Sequence, residues 1–144
     1  MARTILVGVD GSETSRKAAQ VAAELAAGSG ATLHIMTAID DRARTDLGED
    51  RYVGDVRLAT TPGDEAEAIA RGVAEELSGI VANIQTSPAR GKPGEALVTV
   101  AKDIRADLIV VGNRRVQGIG RILGSVATDV AHHAPCDVYI VKTV

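Results

Sequence analysis

The chain has no tryptophan and no phenylalanine, and its aromatic residues are Tyr52 and Tyr139. Its core must therefore be packed from Val, Ile, Leu and Ala, which suit close seating of helices on a sheet. The same lack removes the base-stacking platform on which single-stranded nucleic acid is usually held. Any planar ligand would have to lie between aliphatic walls and backbone groups. Cysteine is nearly missing as well: Cys136 stands alone, so no intramolecular disulfide can form and a reducing compartment is expected. No apolar run approaches the roughly 18 residues needed to cross a bilayer. Met1-Ala2-Arg3-Thr4 passes directly into a short apolar run, without the pattern of a targeting leader. The cytoplasm is the expected location, with no membrane partner. An excess of positive charge is lacking too: sixteen Lys and Arg stand against nineteen Asp and Glu, a net charge of -3. That balance argues against general binding to nucleic acid or to an anionic surface.

What is present describes one domain over residues 1–144, 45% hydrophobic and 24% charged, outside the composition of disordered chains. Thr4-Ile5-Leu6-Val7-Gly8-Val9 is apolar almost throughout, the pattern of a strand buried on both faces in a parallel sheet. Ser12 or Ser15 can cap a following helix with Ala18, Ala22, Leu25 and Ala26 on its inner face, ended by Gly28-Ser29-Gly30. The run 32–39 predicts a second strand, completing a β-α-β unit. From Asp40 to about Pro62 the chain is polar and without period, long for a connection in a compact domain and so read as a lid or a mobile segment. A second helix opens at Thr61-Pro62-Gly63-Asp64, and the run 80–86 reads as a third strand, with residues 87–92 as a loop. Pro93 opens a third helix, Ala106 to Val111 forms a fourth strand, a helix runs from about Gly124 to His133, and Asp137 to Val141 closes the chain as a fifth strand. Strands alternating with helices predict an α/β fold: an open five-stranded parallel sheet in the order 3-2-1-4-5, with helices on both faces.

In such sheets ligands bind beyond the carboxyl ends of the strands, where the strand order reverses. Here that point lies between the first and fourth strands. Their ends carry Val9-Asp10-Gly11-Ser12 and the segment from Gly112 to Ser125, which holds four glycines and the arginines Arg114, Arg115 and Arg121. Glycines admit a ligand close to backbone amides, a helix start adds partial positive charge, and arginine suits phosphate. The plainer reading is a glycine-rich turn with solvated arginines. No G-x-x-x-x-G-K-[ST] occurs, and Gly118-x-Gly120-x-x-x-Gly124 misses the dinucleotide fingerprint. Adjacent His132 and His133 point about 100° apart on a helix and cannot share one metal. They suit a helix C-terminus. His34 falls inside a strand and reads as a satisfied structural residue. Cys136 is a weak candidate for a nucleophile. Asp40 and Asp41 are candidate Mg²⁺ ligands beside a phosphate, with a solvated loop the preferred reading.

Taken together, Val9-Asp10-Gly11-Ser12, Ala38-Ile39-Asp40, Asp107 to Asn113, Gly124-Ser125-Val126 and Ala134 to Val141 resemble the universal stress protein family along the whole chain. The resemblance implies a Rossmann-like sheet, a homodimer joined through the last strand, and in many members binding of ATP or AMP. It implies that Asp10 faces the adenine or ribose and that the backbone near Ala38 meets the adenine edge. Gly112 would lie under ribose and phosphates, and Gly124, Ser125 and the Val126 amide would hold phosphate oxygens. The family motif is G-x2-G-x9-G-[ST]. Gly112 supplies its first glycine and Gly124-Ser125 its last pair, while Arg115 replaces the second glycine, with eight residues between it and Gly124. Gly118 and Gly120 can reshape the loop, and a guanidinium such as that of Arg115 can take over phosphate contact from the lost amide. No residue pairing specifies a general base. The expected role is thus a stress-response sensor or regulatory binding module for ATP or AMP, with or without Mg²⁺, and at most a very slow ATPase. Three rivals stand beside it: the same fold binding cyclic AMP, a dimeric interaction protein with a vestigial empty pocket, and a weak nucleic-acid binder using Arg114, Arg115 and Arg121, the last disfavoured by charge and by the missing aromatics.

Overall fold

The computed structural model describes residues 3–39, 52–53, 56–57, 62–113 and 124–142. In chain order the elements are β1 (Thr4–Gly8), α1 (Glu13–Ser29), β2 (Thr32–Ile39), β3 (Tyr52–Val53), β4 (Val56–Arg57), α2 (Pro62–Leu77), β5 (Ile84–Arg90), α3 (Pro93–Ile104), β6 (Leu108–Asn113), α4 (Ser125–His133) and β7 (Asp137–Lys142). The main sheet is wholly parallel in the order β5-β2-β1-β6-β7. Counting only its own strands, this is the expected 3-2-1-4-5.

The central strand β1 explains the arrangement. Leu6 and Val7 have no exposure, and their side chains leave opposite faces of the sheet. Ile5, Val7 and Val9 join the core beneath α1 and α2, while Leu6 joins Met36, Leu97 and Ile109 beneath α3 and α4. Helix α1 seats through the fully buried alanines Ala18, Ala19, Ala22, Ala23 and Ala26, small enough to bring its backbone close to the strands. Leu25, expected on that inner face, is 36% exposed, because it lies at the margin of the alanine arc. Its caps follow local chemistry: Ser12 Oγ accepts from the Ser15 amide, and Gly30 ends the helix at φ 69°. The pair α3 and α4 is held close by Gly94, where an added Cβ would stand 2.7 Å from Asp129 Cβ.

Two strands are shifted from the sequence-based expectation, and a short pair is added to it. The third sheet strand lies at 84–90, not 80–86. Residues 78–80 form the turn that ends α2, whose last carbonyl, Leu77, accepts from the Ile80 and Val81 amides. The apolar Val81 is buried in the core under α2, and the polar stretch from Ser87 to Arg90, where a loop is expected, is the second half of the edge strand. An edge strand needs fewer apolar residues and tolerates Pro88, whose missing N–H costs little there. The fourth sheet strand runs Leu108–Asn113, two residues later than expected, because Ala106 and Asp107 still belong to the turn out of α3. Between 40 and 61 the short antiparallel pair of Tyr52–Val53 with Val56–Arg57 was not anticipated. The lid-or-mobile reading of the rest of that segment falls outside the described residues.

His34 is a buried residue of β2, 7% exposed, with Nε2 2.7 Å from Ser87 Oγ on the edge strand. Burial holds this imidazole below the ordinary value of 6.5, partly offset by a hydrogen bond with Gln85. The folded state therefore prefers neutral His34, whereas the unfolded chain protonates more readily. The stability this contributes is complete above the unfolded value and is lost as pH falls through the lower folded one. Urea midpoints should therefore drop between pH 7 and pH 5, and His34→Gln should make that drop shallower. An identical slope in the variant would show that other groups set the acid limit.

Candidate functional site

Between β1 and β6 the connections leave the sheet on opposite sides: β1 feeds α1 on one face, and β6 leads toward α4 on the other. The chain ends of these neighbours diverge and leave a cleft of about 270 Å³ above them. Gly8, Val9, Val111 and Gly112 make its floor, and Met36 and Ala38 of β2 bound one side. Pro93 and Leu97 of α3 and the start of α4, from Gly124 to Ala127, close the other. At Gly8 an added Cβ would stand 3.2 Å from the tips of Leu97, a tight contact that would push this side chain back by a few tenths of an ångström. The walls are aliphatic, as the missing aromatics required.

The turn from β1 into α1 is closed by its own side chains. Gly11 adopts φ +85°, a conformation that favours glycine. Asp10 Oδ1 accepts from the Ser12 amide at 2.9 Å, and Ser15 Oγ accepts from the Asp10 amide at 3.2 Å while donating to the Ser12 carbonyl at 2.9 Å. Buried Ser15 thus ties Asp10 to the first turn of α1, and the exposed Asp10 stands at the cleft rim in a fixed backbone geometry. Asx-turn and helix-cap roles coexist here with a place beside the cleft.

At the opposite rim Gly124 occupies the N-cap of α4 and provides no side chain for the first amides. Its φ of -64° is open to any residue, so the glycine matters for close approach and not for backbone conformation. Gly124 N–H donates instead to Asn113 Oδ1 at 2.9 Å, joining the end of β6 to the start of α4. The amides of Ser125 and Val126 and the Ser125 hydroxyl border the cleft at a positively polarised helix end. The N-terminal residues Ser12 and Thr14 of the α1 start and Pro93 of α3 border it too.

Of the residues anticipated at the site, Val9, Asp10, Ala38, Gly112, Gly124, Ser125 and Val126 all line this one cleft. Arg115 and Gly118 lie outside the described residues, as do Gly120, Asp40 and Asp41. Sequence reasoning missed Ser15, Met36, Pro93 and Leu97. For Pro93 and Leu97 a signal existed, since the start of every helix in a parallel α/β sheet faces the same end of the strands. Among the described residues no group of three or more His, Cys, Asp or Glu is placed to hold a metal. His132 and His133 have ring centroids 6.2 Å apart, and His133 Nδ1–H donates to the Asp129 carbonyl at 3.0 Å, the C-terminal role expected of it. Burial and the nearby carboxylates of Asp137 and Asp107 push the Cys136 thiol up, against the thiolate a nucleophile requires. No helix among the described residues is long and apolar enough to cross a membrane.

The chain shares these features with known proteins. The family model for the universal stress protein family matches residues 1–142. Universal stress protein Rv1636 of Mycobacterium tuberculosis is 36% identical over 149 residues, covering 98% of this chain and 97% of its own. A universal stress protein solved in complex with cAMP superposes with a TM-score of 0.77 at 35% identity, over 99% of this chain and 98% of that one. The universal stress protein of Archaeoglobus fulgidus in complex with dAMP has a TM-score of 0.70 over 97% of this chain and 98% of that one, and at 23% identity it speaks for the fold alone. With its strand order, its cleft and a match running almost end to end, this chain belongs to the universal stress protein family.

Proposed function

We propose that this protein binds an adenine nucleotide, ATP or AMP, in the cleft between β1 and β6, and works in the cytoplasm as a stress-response sensor or regulatory module. The observation that carries the reading is the convergence of Val9, Asp10, Ala38, Gly112, Gly124, Ser125 and Val126 on that single cleft. Its volume lies near the lower end of the roughly 300–1,000 Å³ typical of small-molecule sites. The residues fit the two halves of such a ligand. Val9, Met36, Ala38 and Leu97 offer aliphatic surface to a planar base, and the backbone at Ala38 offers polar groups to its edge. Asp10 at the rim suits ribose hydroxyls, and the start of α4 suits phosphate. Among the described residues that line the cleft, Asp10 is the one with an ionisable side chain, and it already accepts from Ser12. The proposed role is that of a binder with at most a very slow ATPase activity, with Mg²⁺ entering as the companion of ATP. Arg115 is proposed to assist at the phosphates.

Cyclic AMP is the second reading, favoured by the cAMP complex of the 35%-identical relative. Acid release of small molecules from the purified protein, followed by mass spectrometry, should recover adenine nucleotide near one per chain and identify which. An empty protein that also fails to bind added ATP, AMP or cAMP would leave the vestigial-pocket rival. Gly124→Val should weaken AMP or ATP at least roughly tenfold by calorimetric titration, because a branched side chain blocks approach to the α4 amides. The backbone at φ -64° accepts valine, so a folded variant with unchanged affinity would move the phosphate elsewhere.

The proposed assembly is a homodimer. Strand β7 ends the sheet, leaving one backbone edge open, and Tyr139 on it is 46% exposed. Open apolar edges invite pairing, and a two-fold axis satisfies both copies at once. Light scattering at micromolar concentration should give a dimer, with Tyr139→Lys shifting it toward monomer. A monomeric wild type would sink this assembly.

A further inference from the structure

The departure of this chain from its family's phosphate motif lies between Gly112 and Gly124, yet the two ends of that stretch are joined by one side chain. Asn113 is the last residue of β6, paired in register with Lys142 of β7, so its backbone position is set by the sheet. Its carboxamide Oδ1 accepts from the Gly124 amide at 2.9 Å in a partly buried setting. Gly124 is the N-cap of α4, and it has no side chain with which to organise the helix start. A side-chain cap would accept from the second or third amide of the helix. The Asn113 bond is different: it holds the amide of the cap residue itself, from the strand.

We infer that Asn113 is the positioning residue for the anion end of the cleft, fixing where the first amides of α4 stand relative to Gly112. The inference rests on the adenine-nucleotide reading and deepens it. An amide donor aimed at a phosphate contributes only if its helix is held before the ligand arrives. The Asn113 bond joins sheet and helix directly, alongside the chain connection between them. This accounts for how the chain can replace the second motif glycine with Arg115 and still present Gly112 and Gly124-Ser125 to one cleft.

The residue type matters. Asparagine offers a neutral acceptor, where aspartate would place a negative charge beside the proposed phosphate, and leucine of similar shape would accept nothing. The test compares Asn113→Leu and Asn113→Ser with wild type by calorimetric titration of AMP and adenosine, alongside hydrogen exchange at the Gly124 amide. Serine is too short to span the gap and guards against a leucine variant that fails to fold. The expected result is faster Gly124 exchange, AMP affinity down roughly tenfold, and adenosine affinity within about twofold of wild type. Asn113→Asp should keep Gly124 protected and adenosine affinity intact while AMP weakens, since the acceptor remains but the charge repels. Equal losses of AMP and adenosine, or unchanged AMP affinity despite faster Gly124 exchange, would overturn the positioning role while leaving the adenine reading in place. A wild-type protein that binds neither ligand would overturn both.

Discussion

Everything at the cleft depends on β1 being paired in parallel on both sides. Its register sets Gly8 beside Met36 and Val7 beside Val110, so β2 and β6 both run on past the end of β1 and stand on either side of it. A strand in that position must be apolar toward both faces, which Leu6 and Val7 satisfy without any exposure. Once it is central, chain connectivity does the rest. The right-handed crossover through α1 returns to β2 on one side, whereas α4, next after β6, packs on the other face. Neighbouring strands whose chains depart in opposite directions cannot cover their own ends. The cleft is therefore a consequence of topology, formed before any particular ligand-binding residue is chosen.

Small residues then decide what the cleft is like. The alanine face of α1 and the glycines at 8 and 94 all shorten distances between layers, the first between helix and sheet and the others between α3 and its neighbours. With no Trp or Phe in the chain, the apolar lining of the cleft includes Leu97, Met36, Val9 and Ala38. Under the proposed function a flat ring would gain its dispersion contact from many aliphatic atoms at close range in place of one stacked aromatic. Such a surface selects weakly by itself. Orientation has to come from backbone polar groups at Ala38, the Asp10 turn and the α4 start.

How much of this could be read from sequence divides along physical lines. Strands β1 and β6, and the helices with a clear apolar stripe, were legible because burial on both faces or on one face leaves a periodic trace. Edge strand β5 was not, since Ile84 to Arg90 needs little apolar surface and contains a proline, while the apolar residues before it, Ile80 and Val81, belong to the turn that ends α2. Leu25 misled for a related reason: composition suggests an inward leucine, but the alanine arc leaves space only for smaller side chains. At the site, the glycine and Asp-Gly-Ser signals lie at the two strand ends that border the cleft. Ser15 was expected only as a possible helix cap and Asn113 had no assigned role, because their importance lies in hydrogen bonds to Asp10 and Gly124, and such partnerships across a turn or from strand to helix leave no periodic trace.

Both rims of the cleft thereby use one strategy with different parts. On the α1 side Ser15, already inside the helix, reaches back to the Asp10 amide at the end of the strand. On the α4 side Asn113, still in the strand, reaches forward to the Gly124 amide at the start of the helix. Each bond satisfies a backbone donor at the strand-to-helix junction with a side-chain acceptor from its far side: the Asp10 amide lies two residues before the α1 cap, and the Gly124 amide is the cap of α4 itself. The partly exposed rim is thus stiffened without bulk, which keeps the approach to the Gly112 and Gly124 backbones open. A bulky cap at Gly124 would settle the helix end equally well and obstruct the cleft in doing so. The Asn113 bond avoids that conflict, because it ties the end of β6 to the helix start without adding a side chain at Gly124.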